Sequence, residues 1–191
     1  GAPDGSYDNY AYTKSGNPVK LTAPAEPGSY EVRYIQGHGS KLLAKSPLTV
    51  GAVTATVQPP SSVNAAAKFE VIWQGPNNEG DHLSVAQVGA PAGSYDNYAY
   101  TKNGSPARLT APAKSGQYEV RYIQGRGRKL LAKAELTVAA VTATVQPPAS
   151  VSAAAKFKVT WQGPNNDGDY LAIAKIGAPA ADYENYAYTR S

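Results

Sequence analysis

The sequence predicts an all-β chain made of tandem antiparallel β-sandwiches, and three observations carry that expectation. Among the 191 residues stand 14 Tyr, 18 Gly and 15 Pro beside only two Phe, which is the usage of short strands joined by many turns. The string GAPDGSYDNYAYT at residues 1–13 returns as GAPAGSYDNYAYT at 89–101 and as GAPAADYENYAYT at 177–189, a period of 88 both times. Phe69, Val71 and Trp73 alternate with Glu70, Ile72 and Gln74, and the next copy reads Phe157, Val159 and Trp161 against Lys158, Thr160 and Gln162. A period of two is a strand with one buried face, and the charge reversal and the Ile-to-Thr change mark the other face as solvent-facing.

The repeat sets the domain organisation. Residues 1–52 and 89–140 differ at 13 of 52 positions, residues 53–88 and 141–176 at 10 of 36, and no gap is needed. A unit of 88 residues is domain-sized, so it can bury a core by itself, unlike a solenoid repeat of 20–40 residues. The stretch from Leu136 to Val145 reads as a strand end, a small-residue joint and a new strand, with Pro147-Pro148 following. Boundaries are therefore expected near 52/53 and 140/141. Residues 1–52 are then the C-terminal part of one sandwich, 53–140 a complete one, and 141–191 the N-terminal part of a third.

Seven strands are expected in the complete unit, at 54–58, 68–74, 82–88, 96–102, 106–110, 117–124 and 129–138, with no competing helix. Tyr118, Val120 and Tyr122 alternate with Glu119, Arg121 and Ile123, and Tyr118 stands where a sandwich commonly uses a tyrosine hydroxyl to tie down a corner. Two stacked antiparallel sheets are the simplest outcome.

The series Phe69-x-Val71-x-Trp73-x-Gly75-Pro76, Gly80-Asp81-x-Leu83, Tyr98-x-Tyr100-Thr101 and Gly116-x-Tyr118-x-Val120-Arg121-Tyr122 resembles the immunoglobulin-like repeats toward the C-terminus of bacterial proteins that also carry a von Willebrand factor A domain. The motif order is also similar to SKICH-type sandwiches. The resemblance covers the whole unit and implies tandem immunoglobulin-like sandwiches that act as envelope or secreted spacer and interaction modules without a catalytic site. No A domain lies within these residues, so its metal-dependent adhesion site is not carried over.

Composition bounds the chemistry further. The chain has no Cys, hence no disulfide framework, thiolate metal site or Cys nucleophile, and no Met, so residue 1 is not expected to be a translation start. Its net charge is +4, too small to favour nucleic acid, and no stretch approaches the roughly 18 consecutive apolar residues of a membrane span. Only His38 and His82 could serve as imidazole catalysts, and the matching positions in neighbouring copies are Arg126 and Tyr170. Both histidines are expected at exposed or edge positions. No G-x-S-x-G elbow accompanies the serines, and an enzyme is not expected.

Three segments remain as candidate binding sites. Asn77, Glu79 and Asp81, repeated as Asn165, Asp167 and Asp169, cluster oxygens of the kind Ca²⁺ takes, with Asp96 as a possible helper. The competing reading, which the sequence favours, is a hairpin whose Asn and Asp side chains bond local backbone. Arg126, Arg128 and Lys129 concentrate positive charge at a hairpin tip, to which Arg108, Lys114 and Lys133 are candidates to add, and an acidic polysaccharide would feel that field; a solvated tip is the blander reading. In the third segment, Tyr98 and Tyr100 are expected on the core face, and Tyr95, out of their register, is the candidate for stacking on sugars or a partner.

The sequence thus points to a structural, spacer or adhesive repeat of an exported bacterial protein, placed at the cell surface or outside the cell. Its expected partners are copies of itself head-to-tail and acidic polysaccharide, with Ca²⁺ the single cofactor candidate. The alternative is a carbohydrate- or Ca²⁺-binding module. Because 36 plus 52 residues make one 88-residue repeat, the two ends are expected to be complementary parts of one sandwich, joined either between copies or within a longer polypeptide.

Overall fold

The computed structural model describes Tyr7 and residues 9–190. Its strands are β1 (Gly28–Ile35), β2 (Leu42–Val50), β3 (Thr56–Gln58), β4 (Ser62–Asn64), β5 (Lys68–Gln74), β6 (His82–Gln87), β7 (Asn97–Tyr100), β8 (Ala107–Thr110), β9 (Gly116–Ile123), β10 (Leu130–Ala139), β11 (Thr144–Gln146), β12 (Thr160–Gln162), β13 (Tyr170–Ile173) and β14 (Asn185–Tyr188). The helical elements among the described residues are single 3₁₀ turns at Thr13–Ser15 and Thr101–Asn103. The protein is nearly all β, and no helix among the described residues is long and apolar enough to cross a membrane.

Between residues 53 and 140 a three-stranded sheet, β3-β5-β8, faces a five-stranded sheet, β4-β10-β9-β6-β7. Every pairing is antiparallel except β4 with β10, which is parallel with Val63 opposite Val138. Strand β4 was not expected. Pro59-Pro60 cannot donate to a ladder, so the opening strand breaks there, and its continuation joins the edge of the other sheet.

The core lies between the sheets. Val57, Phe69, Val71, Trp73, Ala107 and Leu109 reach it from one side, and Leu83, Val85, Tyr118, Val120, Tyr122, Leu136 and Val138 from the other. Strand β5 alternates as its residues dictate, with Phe69, Val71 and Trp73 buried and Glu70, Ile72 and Gln74 exposed. Strand β9 does not. Glu119, Arg121 and Ile123 are buried as well; Arg121 draws the loop between β6 and β7 across the outer face of the sheet through the carbonyls of Gln87, Ala90 and Pro91.

The flanking segments repeat parts of this arrangement as isolated ladders. β1 pairs with β2 in the way β9 pairs with β10, β11 with β12 as β3 with β5, and β13 with β14 as β6 with β7. Without a facing sheet their core residues stay in solvent. Val120 and Tyr122 are 0% exposed, whereas their counterparts Val32 and Tyr34 are 42% and 50% exposed.

Candidate functional site

The acidic loop is the first site to be placed. It is not a hairpin, since β5 and β6 belong to different sheets and the loop arches between them. Asn77 and Gly80 take positive φ values of 54° and 81°, which turns the Asp81 side chain inward. Buried there, Asp81 accepts from Gly125 N–H at Oδ1 (2.8 Å) and from Asn78 N–H and the Tyr122 hydroxyl at Oδ2 (both 2.9 Å). Its main-chain carbonyl accepts from the Thr101 N–H and hydroxyl. One carboxylate thus ties the β5–β6 arch to the β9–β10 hairpin and to the end of β7. The Tyr122 hydroxyl in turn accepts from Asn77 N–H (2.9 Å); burial, helped by the Asp81 carboxylate to which it donates, pushes it up to about 12.

The other oxygen candidates do not converge on Asp81. Glu79 is exposed. Asp96 immediately precedes β7 and bonds Val85 C=O, four residues from Asp81, which is roughly 13 Å along a strand. In the next copy Asn165 again takes positive φ and Asp169 accepts from Asn166 N–H (2.7 Å), while Asp167 bonds Lys68. Among the described residues no three His, Asp or Glu side chains form a group that could hold a metal ion.

The basic tip is a hairpin, as expected, closed by Gln124 N–H on Lys129 C=O. Lys114 does not add to it, because it precedes β9 while the tip follows β9, eight residues or roughly 26 Å away. Arg108 is paired across its sheet with Glu70 (3.0 Å), and Lys133 with Glu119 (3.0 Å). Tip residue Lys129 meets Glu26 of the preceding segment at 2.8 Å.

The tyrosine segment corrects an expectation. Leu83 pairs with Ala99, so Ala99 and the buried Thr101 face inward, while Tyr98 and Tyr100 lie on the outer face over Ser84 and His82. Tyr95, Tyr98 and Tyr100 are 42%, 44% and 41% exposed. Their rings meet edge-to-face, Tyr95 with Tyr98 at 5.2 Å and Tyr98 with Tyr100 at 5.3 Å, and the ring of His82 adjoins all three within 6.3 Å. His82 is therefore half-buried in an interior strand, not at an edge; His38 is exposed. The ladder recurs as Tyr170, Tyr183, Tyr186 and Tyr188, and as Tyr7, Tyr10 and Tyr12. A cation closes it in two copies, with Lys102 Nζ 5.5 Å from the Tyr100 ring and Lys14 Nζ 5.4 Å from that of Tyr12.

Arg121 went unrecognised in the sequence, where it reads as an outward strand residue. Buried, it donates to Glu119 through Nε (2.8 Å) and to the carbonyls of Pro91 (3.0 Å), Gln87 (3.2 Å) and Ala90 (2.7 Å). Burial by itself would raise the Glu119 carboxyl; hydrogen bonds from Lys133 and Arg121, with their charges, outweigh it and hold the group below its usual range. Glu31, Arg33 and Lys45 repeat the set in the first segment, where Glu31 pairs with both cations at 3.1 Å; period-two alternation gave no signal of the burial.

No protein-family model matches this chain, and no curated protein does. Its function rests on the residues themselves.

Proposed function

We propose that the chain is a run of immunoglobulin-like sandwiches in the cell-surface or extracellular part of an exported bacterial protein, and that it serves as a structural, spacer or adhesive array and not as an enzyme. The immunoglobulin-like reading draws support from an opening strand divided between the two sheets, from the parallel β4–β10 contact, and from Tyr118, whose hydroxyl bonds Lys114 C=O at 3.0 Å as a corner tyrosine. The large tryptophan sits on β5 in place of the central strand of the facing sheet, a departure from antibody domains.

The observation that carries the functional reading is where the buried polar groups go. Asp81, Glu119 and Arg121 hold loops against sheets, while the tyrosine ladder is exposed, recurs with the 88-residue period and is suited to contact with another surface. Cysteine-free composition and the family resemblance favour export. The test is adhesion and turnover on the same material. The chain should show no turnover on ester, peptide and glycoside panels, and replacing Tyr95, Tyr98 and Tyr100 with Ala should weaken its adhesion to surfaces or glycans; one reproducible activity abolished by Asp81→Asn with Asp169→Asn would overturn the reading.

A carbohydrate- or Ca²⁺-binding module is the second reading, favoured by the same exposed rings and by the recurrence of the acidic loop. A Ca²⁺-dependent rise in melting temperature would move the weight to it.

A further inference from the structure

Two contacts join the flanking segments to the central unit. At one, Lys129 Nζ of the β9–β10 tip meets Glu26 at 2.8 Å, and Ala25 lies so near Gly127 that a Cβ built on that glycine would stand 2.9 Å from the Ala25 methyl. At the other, Lys68 Nζ meets Asp167 at 2.8 Å, and the Asn166 amide donates to Ala65 C=O at 3.3 Å. The residues look unrelated. Shifted by the 88-residue period, they fall on the same two ends of the repeat unit.

Ala25 and Glu26 correspond to Ala113 and Lys114, which in the central unit lie beside the 65–68 segment through Ala66 N–H on Pro112 C=O and Ala111 N–H on Ala67 C=O. Both contacts therefore use the same end of a sandwich, the base. Asn166 and Asp167 correspond to Asn78 and Glu79, which Asp81 clamps to the 125–129 hairpin through Gly125 N–H. Both contacts therefore use the opposite end of the next sandwich, the tip. The two contacts share no pair of equivalent residues, yet both set the base of one unit on the tip of the next.

Each contact pairs opposite charges, Lys129 with Glu26 at one and Lys68 with Asp167 at the other. The base that carries Glu26 meets Lys129 of a hairpin that also bears Arg126 and Arg128, and the base that carries Lys68 meets Asp167 of a tip loop. Glu26/Lys114, His38/Arg126 and Ser40/Arg128 are among the 13 differences between the two copies. A solvated tip needs no carboxylate of the preceding unit at its lysine.

We propose that the 125–129 hairpin is a docking element for the preceding repeat of the same chain, and that successive repeats are held base-on-tip by charge-matched, salt-sensitive junctions. The partner of Lys129 in this basic patch is then another sandwich unit. The proposal rests on the tandem-sandwich reading and not on export or adhesion; loss of adhesion in ladder variants would leave it untouched. Exposed ion pairs are individually weak, so each junction is a biased hinge, stiff at low ionic strength and looser as salt screens the pairs.

The cysteine-free chain allows a direct test. Spin or fluorescent labels placed through Ser46→Cys on β2 and Ser61→Cys in the central unit report the distance across the first junction. At about 0.02 M salt the wild-type distribution should have a dominant narrow component that shrinks at about 0.5 M. Glu26→Lys and Lys129→Glu should each lower the docked-to-undocked ratio about 1.5- to 5-fold, and the swapped pair should restore it. Urea melts of the central unit, read from Trp73 in a Trp161→Phe background, should coincide in all variants; a variant that melts early is replaced by Glu26→Gln or Lys129→Gln, which should give the same direction of change. A wild-type distribution equally broad at both salts, single reversals without effect, or a double swap that fails to restore the narrow component would overturn the proposal.

Discussion

Gly125→Ala tests whether the two tip loops are packed as tightly as the hydrogen bonds imply. A Cβ at position 125 would stand 2.5 Å from Glu79 O and 2.6 Å from Gly80 Cα, against about 3.5–4.0 Å for ordinary contact. These are main-chain atoms, so no side chain can swing aside, and the loops must part by about 1 Å. Parting them lengthens the Gly125 N–H bond to the buried Asp81 carboxylate, a charge-assisted bond whose loss costs about 1.5–3 kcal/mol. Strain from the added methyl contributes about 1–3 kcal/mol more. The expected loss is about 3–5 kcal/mol in the central unit, read as a fall of about 2–3 M in its urea midpoint through Trp73 fluorescence in a Trp161→Phe background. The repeat supplies the control. Gly37 occupies the same hairpin position in the first segment, and a Cβ there meets nothing within 4 Å, so Gly37→Ala should leave the central midpoint unchanged. A loss below about 1 kcal/mol for Gly125→Ala, or equal effects of the two substitutions, would refute the reasoning.

Three further outcomes are expected. Trp73→Ala should destabilise the central unit by about 3–5 kcal/mol, since it empties a large core site and removes the indole bond to Gly104 C=O; a change under 1 kcal/mol would place Trp73 outside the core. Tyr98→Ala, on the outer ladder, should cost only about 1 kcal/mol, and a loss equal to that of Trp73→Ala would put this ring back inside. Tyr122 is raised in the folded state to about 12, from about 10 unfolded, so its contribution is complete below about pH 10 and is lost as the pH climbs to about 12. That loss amounts to about 2–3 kcal/mol. Urea midpoints measured between pH 9 and 12 should fall accordingly, and a flat profile across pH 10–12 would contradict the burial of this hydroxyl.

The all-β class, the strands β5, β9 and β10 and the corner tyrosine were legible in the residues, because each depends on local information. Period-two alternation in Phe69–Trp73 names its own buried face, a Gly-rich hairpin between two apolar runs names itself, and an 88-residue repeat declares a unit without any coordinates. What lay beyond the sequence is whatever depends on which strand lies opposite which. Tyr98 and Tyr100 alternate as cleanly as a core pair, yet the pairing of Leu83 with Ala99 turns them outward, and a pattern of period two cannot say which of its faces is the inner one. The same limit hid Arg121, whose burial comes from a loop some 30 residues earlier folding over the sheet. It also hid the role of Asp81. The sequence favoured a local backbone bond, which Asp81 makes to Asn78 N–H, but its other partners, Tyr122 and Gly125, are 41 and 44 residues away. Local sequence determines backbone periodicity and turn chemistry because these are short-range steric effects; the partners of buried polar groups are decided only when distant segments close on one another, since desolvation makes each such group take whichever donor or acceptor the tertiary fold brings within reach.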